Sequence, residues 1–234
     1  MIDFKVENKS RMAKNDIFSN DNEVYVFAET TTSTQYTVHL DDYFEDTAYY
    51  RKLQGLLSTA TESDTVIFRL NSGGGAIHVA LPIIHWIGMT DAHTIAVVDY
   101  EAASAATLFI MACDSVIMMP HSSIMIHSAQ YGAWGDAKQV RKSVKFEDTQ
   151  INLFIRETYK GFLSEEELDS VIEDSEELRF TAEEVIERLK SRQNSEQTVL
   201  LADDGLDDSI EEIKKTPTKK PAKKSSTRKP KKLD

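Results

Sequence analysis

Apolar residues along this chain fall into two kinds of run, and the alternation between them is the clearest signal in the sequence. Residues 65–70 (TVIFRL), 94–99 (TIAVVD), 114–119 (DSVIMM) and 123–128 (SIMIHS) are short and almost continuously apolar, the pattern of strands buried on both faces in parallel sheets. Shorter strand-like runs at Val24–Ala28 and Tyr36–Leu40 are separated by ETTTSTQ, which reads as a hairpin loop. Between and after them the period changes. Tyr49, Leu53, Leu56 and Leu57 give residues 41–60 a helical face, with Asp41 or Asp42 as its cap. A helix is predicted from Ala76 to about Met89, and residues 101–113 (EAASAATLFIMAC), small and apolar all round, predict a core helix. Gly132–Phe162 predicts a long amphipathic helix with Val140, Val144, Ile151, Phe154 and Ile155 on one side. Residues 164–190 predict one or two short acidic helices, with Val185, Ile186 and Leu189 as the last apolar face. Strands alternating with helices indicate an α/β domain with parallel character. No internal repeat of 20–50 residues is present.

Composition sets the boundaries. With 234 residues and 41% apolar content, the chain has enough material for a sizeable core. The expected layout is a flexible polar segment 1–22, a folded domain 23–192, an acidic linker 193–213 and a disordered tail 214–234. The net charge of −12 hides two opposed regions. The tail carries ten basic residues and one acidic, a charge of +9, while the rest carries 17 basic and 38 acidic, a charge of −21. A Lys/Pro/Ser/Thr tail of this kind buries too little surface to offset its ordering entropy. It suits contact with nucleic acid or an acidic partner, or simply solubilises the chain. No apolar run approaches the roughly 18 residues of a membrane span, and no signal peptide is recognisable. Cys113 is the only cysteine, which excludes an intramolecular disulfide or a multi-cysteine zinc site and suits a reducing, cytoplasmic setting. No metal or cofactor motif stands out, so none is expected.

Three places can carry chemistry. Asn71-Ser72-Gly73-Gly74-Gly75 lies between a predicted strand and a predicted helix. A turn without Cβ atoms lets backbone N–H groups approach a ligand, and at a helix start they attract negative charge. That suits an oxyanion hole, where each donor contributes about 3–4 kcal/mol to transition-state stabilisation. The plain reading is a tight turn. Neither Walker nor G-x-G-x-x-G spacing follows, so nucleotide binding is disfavoured. Ser104, hemmed in by Ala102, Ala103, Ala105 and Ala106, has room above it for a substrate and gains the Ala105 amide as a donor. The plain reading is a small core residue. His127 closes the apolar run SIMIHS, placed to act as a general base or packed as a core histidine. His39, His78, His85, His93 and His121 show that histidine alone is not diagnostic; Pro120-His121-Ser122 reads as a turn.

Together these features resemble the ClpP family of serine peptidases, whose members read N-S-P-G-G, G-x-A-A-S, M-I-H and then an Asp shortly before S-A-x-E-A. Here the counterparts are NSGGG (71–75), YEAAS (100–104), MIH (125–127) and TAEEV (181–185), and the resemblance covers roughly residues 20–192. It implies a crotonase-like β-β-α spiral with a helical handle, which the predicted helix 132–162 is similar to. It implies Ser104 as nucleophile, His127 as base, Gly75 and Ala105 as oxyanion amides, and Gly74 as a shaper of the substrate turn. It further implies peptide or protein substrates, a homo-oligomeric ring and feeding by a AAA+ unfoldase. The chain departs from the family at Gly73, where proline stands, at Tyr100, where glycine stands, and at the acid. Anchoring on TAEEV puts Glu177 at the aspartate. Asp174 and Glu176 compete, and anchoring on Arg179-Phe180 puts Leu178 there. The divergence and the tail suggest a phage-type relative.

Three functions follow from this reading. The first is a Ser-His-(Glu/Asp) endopeptidase. The second is a degenerate ring serving as scaffold or adaptor, its tail recruiting nucleic acid or a partner. The third is a crotonase-type acyl-CoA enzyme, disfavoured because residues 71–90 offer no acid.

Overall fold

The computed structural model describes residues 6–7, 33–192, 197–202 and 205–215. Strand β1 (Val6–Glu7) pairs antiparallel with β2 (Gln35–Leu40), and β2 pairs in parallel with β3 (Thr65–Ser72). The expected strand at 24–28 and its hairpin loop through residue 32 lie outside the described residues. Asp46, rather than Asp41 or Asp42, starts the helical segment. Its carboxylate accepts from Ala48 N at 2.8 Å and caps a 3-10 turn at Thr47–Tyr50, from which α1 (Arg51–Thr59) continues. Asp42 instead turns its carboxylate onto the N–H of Tyr43.

Period-two alternation in β3 sets the two sides of the sheet. Val66, Phe68 and Leu70 enter the large core, while Ile67 enters a smaller one. Helix α2 (Ile77–Met89) covers the large-core side through Val79, Ala80, Ile83 and Ile87, and β4 (His93–Ala103) returns parallel to β3. Fully burying one such aliphatic side chain contributes about 1.5–3 kcal/mol, so β3, β4 and α2 form the rigid base of the domain.

The predicted helix at 101–113 is half strand. β4 runs to Ala103, a 3-10 turn occupies Ser104–Ala106, and only Thr107–Ala112 is α-helical (α3). Alanine fits either conformation. Pairing with a neighbouring strand decides it, since Ala102 and Ala103 stand beside Ile124 and Met125. On the edge away from β3, β4 therefore serves two partners. Its first half pairs in parallel with β5 (Ser115–Met118), and its second half with β6 (Ser123–Ile126).

Helix α4 (Ala137–Thr158) is shorter than the predicted 132–162. Asp136 and Gln139 form a capping box at its start, and Gly135, at a φ of +143°, precedes the cap. Its C-terminal part packs on the body through Ile151, Phe154 and Ile155, while Phe146 and Leu153 stay exposed. The acidic stretch that follows holds two helices, α5 (Glu165–Glu173) and α6 (Ala182–Ser191), with a strand between them that the sequence pattern does not predict. This strand, β7 (Leu178–Thr181), pairs antiparallel with β6.

The segment 193–213 is not the acidic linker that its composition predicts. β8 (Thr198–Leu201) extends the sheet in parallel beside β5, and α7 (Leu206–Lys215) lies across the face opposite α2. Ile210 and Ile213 recur at helical spacing and close the small core with Ile67, Ile95, Val97 and Ile117. The acids on α7 are the solvated face of an amphipathic helix. Residues 216–234 lie outside the described residues. The result is a mixed α/β fold with a mostly parallel sheet of order β1-β2-β3-β4-β5-β8, with β6 and β7 branching from β4. It agrees with the fold that the resemblance implies. No helix among the described residues is long and apolar enough to cross a membrane.

Candidate active site

Ser104 follows directly on β4 and has a φ of +54°. A non-glycine residue in that region costs of order 1–3 kcal/mol and persists only where its surroundings over-determine it. Three contacts do so here. The pairing of Ala103 with Met125 fixes the residue before it. Gly74, at a φ of +97°, lies so close that a Cβ there would sit 2.6 Å from the Ala103 carbonyl oxygen, 2.8 Å from Ser104 Cβ and 2.9 Å from Ala105 N. From the other side, Thr107 Oγ1 donates to the Ser104 carbonyl at 2.6 Å. Because Thr107 commits its only hydroxyl proton to that carbonyl, Tyr159, 2.6 Å away, must donate to Thr107. Tyr159 caps the C-terminus of α4 and is buried, which raises its phenol to about 12. A strand-to-helix junction with a strained serine is the local geometry of a nucleophile elbow. His121 and Ser175 also have positive φ, but His121 lies in the connection between β5 and β6 and Ser175 follows α5.

The glycine turn stands against this serine. Ser72 Oγ donates to the Asp42 carbonyl at 2.7 Å, Phe44 N donates to Gly74 O at 2.8 Å, and Ala76 N donates to Phe44 O at 2.9 Å. This ladder uses the Gly74 carbonyl and the Ala76 N–H and leaves the Gly75 N–H out of it. Gly75 has a φ of +134°, and a Cβ there would sit 2.5 Å from Phe44 N, so no other residue fits. Gly73 is different. It has no left-handed φ, and a Cβ there would meet the Tyr43 ring at 3.0 Å. Glycine in place of the family's proline leaves room for that ring.

The strand register brings the remaining candidates to one edge. Ala103 faces Met125 in β6, and Ile126 faces Leu178 in β7. Continued by one residue, the β6–β7 register sets His127 opposite Glu177, whereas the β4–β6 register continued likewise sets Ile126 beside Ser104, with His127 the next residue along the chain. Glu101, Met125, His127, Arg179 and Glu177 share one face by parity. His127 is half-buried and Glu177 exposed. Arg179 Nη2 lies 3.4 Å from Glu177 Oε2, and its Nη1 lies 3.5 Å from Glu101 Oε1. Among the described residues no hydrogen bond joins His127 to Ser104 Oγ or to the Glu177 carboxylate. Asp174 and Glu176, the competing acids, precede the strand and stand further from this register.

Sequence reasoning missed Arg179, Thr107, Tyr159 and Tyr43. Arg179 was visible only as an alignment anchor, and its pairing with Glu101 needs β4, β6 and β7 in register. The Thr107–Tyr159 link spans 52 residues and leaves no local pattern. Cys113 is buried, which pushes its thiol upward and keeps it protonated. Among the described residues no group of three or more His, Cys, Asp or Glu could hold a metal ion.

The sequence model of the Clp protease family matches residues 27–187, more than half of the chain. None of the curated proteins matches it significantly.

Proposed function

The chain belongs to the Clp protease family of ClpP-like peptidases, and on that premise we propose that it is a serine endopeptidase acting through Ser104, His127 and Glu177. The observation that carries the proposal is the strained Ser104 packed against the Gly74–Gly75 turn. In the proposed reaction His127 removes the Ser104 proton as Oγ attacks a peptide carbonyl. The N–H groups of Gly75 and Ala105 hold the oxyanion, where removal of a donor typically costs about 3–4 kcal/mol. His127 then protonates the leaving amine. Water, activated by the same imidazole, hydrolyses the acyl-enzyme and regenerates the serine. Glu177 orients the imidazole after exchanging Arg179 for His127.

Assembly into a homo-oligomeric ring is part of the proposal. The exposed Phe146 and Leu153 of α4 support it as apolar surface on a helix that only partly packs on its own body. In this reading a AAA+ unfoldase delivers protein substrates to the chamber. The test is degradation of an unfolded, fluorescence-quenched protein by wild type, Ser104→Ala and His127→Ala. Wild type cleaves and both variants do not. Equal cleavage by Ser104→Ala contradicts the proposal.

One observation favours a second reading. The Glu177 carboxylate is held by Arg179, which suits a degenerate ring acting as scaffold or adaptor, with the basic tail recruiting nucleic acid or an acidic partner. Salt-sensitive DNA binding lost on truncation after Lys215, which spares α7, tests the tail's part in it.

A further inference from the structure

We propose that Tyr43 is the specificity wall of the Ser104 site and holds an aromatic or large aliphatic side chain of the substrate beside the scissile carbonyl. The inference takes its substrate class from the peptidase reading and its geometry from the glycine turn.

Tyr43 is 60% exposed, yet the backbone on both sides of it is fixed. The Asp42 carbonyl accepts from Ser72, and Phe44 is tied to Gly74 and Ala76 through both its N–H and its carbonyl. Phe44 itself is 1% exposed, with its ring stacked on Phe109. An exposed tyrosine on a rigid segment offers an apolar ring face and a polar tip, the combination enriched at contact surfaces. The Tyr43 ring rests on Gly73, where any side chain would meet it at 3.0 Å, and the next residue, Gly74, touches Ser104. Ring and nucleophile therefore flank the same dipeptide.

A peptide whose carbonyl oxygen reaches the Gly75 and Ala105 amides passes over this dipeptide. The free face of the Tyr43 ring then meets a neighbouring side chain. Aromatic partners gain beyond their buried area from offset or edge contacts. Two side-chain torsions on a fixed backbone keep the entropy lost in that contact small. Small or acidic side chains gain neither term.

The experiment uses the full chain with Ser104→Ala, which retains peptide without cleaving it. Fluorescence anisotropy measures binding of labelled decapeptides that differ at one position: Phe, Leu, Ala or Asp. The Phe and Leu peptides bind more tightly than the Ala and Asp peptides. Adding Tyr43→Ala weakens the Phe peptide about five- to tenfold with little effect on the Ala peptide, and Tyr43→Phe retains the preference. Gly73→Ala displaces the ring from its seat and gives the same loss, which guards against a misfolded Tyr43→Ala. A preference for Phe over Ala that survives both substitutions overturns the inference, as does no preference in the parent. If the peptides bind in the expected order but the chain with Ser104 restored cleaves none, hydrolysis fails and the Tyr43 inference stands. If the restored chain cleaves with a preference indifferent to Tyr43, hydrolysis stands and the Tyr43 inference fails.

Discussion

Glu177 and His127 face each other when the β6–β7 register is continued one residue past the Ile126–Leu178 pair, yet the Glu177 carboxylate points to Arg179 at 3.4 Å. The side chain is 56% exposed, so the ion pair is a weak one. Exposed pairs contribute about 0–1 kcal/mol, little enough for an imidazolium to take the carboxylate over when charge develops on His127. Glu177→Gln is therefore expected to lower kcat by about 10²- to 10⁴-fold, the scale of removing the orienting acid of a triad. Asp174→Asn and Glu176→Gln leave kcat close to wild type. Steady-state hydrolysis of one peptide by the three variants checks this. A larger loss for Asp174→Asn or Glu176→Gln reassigns the acid.

The sheet was legible because strands buried on both faces announce themselves. Thr65–Leu70 and Thr94–Val98 lie within β3 and β4. The site was legible where its signal is a contiguous motif: the NSGGG turn and the alanine-flanked Ser104 stand out in the chain, although the contacts that fix them, Ala103 and Ser104 on Gly74 and Phe44 on Gly75, come from distant residues. What was not legible depends on distant pairing. Whether Ala102 and Ala103 were strand or helix turned on β6, not on alanine. The four residues of β7 are too few for an alternating pattern to show. The acids of 203–213 masked the apolar spacing of Leu206, Ile210 and Ile213, whose partners Ile67, Ile95 and Val97 come from the sheet.

The Thr107 hydroxyl ties the Ser104 carbonyl to Tyr159 at the end of α4. Thr107→Val keeps the shape and removes the hydroxyl. It leaves the buried Tyr159 phenol without its partner, a cost of about 1–3 kcal/mol, and frees the Ser104 backbone to relax from its strained φ. The expected result is a lower thermal midpoint together with a loss of kcat that exceeds any change in KM. Tyr159→Phe keeps the Thr107–Ser104 bond and retains most of kcat. Equal kcat losses in the two variants contradict a positioning role for Thr107.

Glu167 accepts two hydrogen bonds from Arg188, at 2.7 and 2.8 Å, and Arg188 also donates to the Phe162 carbonyl and stacks on Phe180. The Arg188 guanidinium holds the Glu167 carboxyl below its ordinary value of 4.5, against the opposing effect of partial burial. A depressed folded-state value means that this stability is fully present above the unfolded-state value. It is lost as pH falls below about 4.5 through the lower folded-state value. Arg188→Met removes the pair, so urea midpoints of wild type and variant should differ near pH 7 and converge as pH falls below about 4. A gap of constant size across that range contradicts the linkage. Because Phe180 belongs to β7, the same variant loosens the strand beside Glu177.

The proposed hydrolysis requires the Ser104 hydroxyl to be an activated nucleophile beside bare backbone donors. Intact-mass analysis after treatment with a fluorophosphonate probes this hydroxyl itself, on wild type, Ser104→Ala and His127→Ala, each assembled at high protein concentration. Wild type is expected to carry one adduct, located at Ser104 by peptide mapping, with none on Ser104→Ala and a much slower reaction of His127→Ala. Wild type that stays unmodified in every assembly state and at every pH from about 6 to about 9, the range in which a histidine base is neutral or becomes so, contradicts an activated Ser104, as does an adduct on another residue.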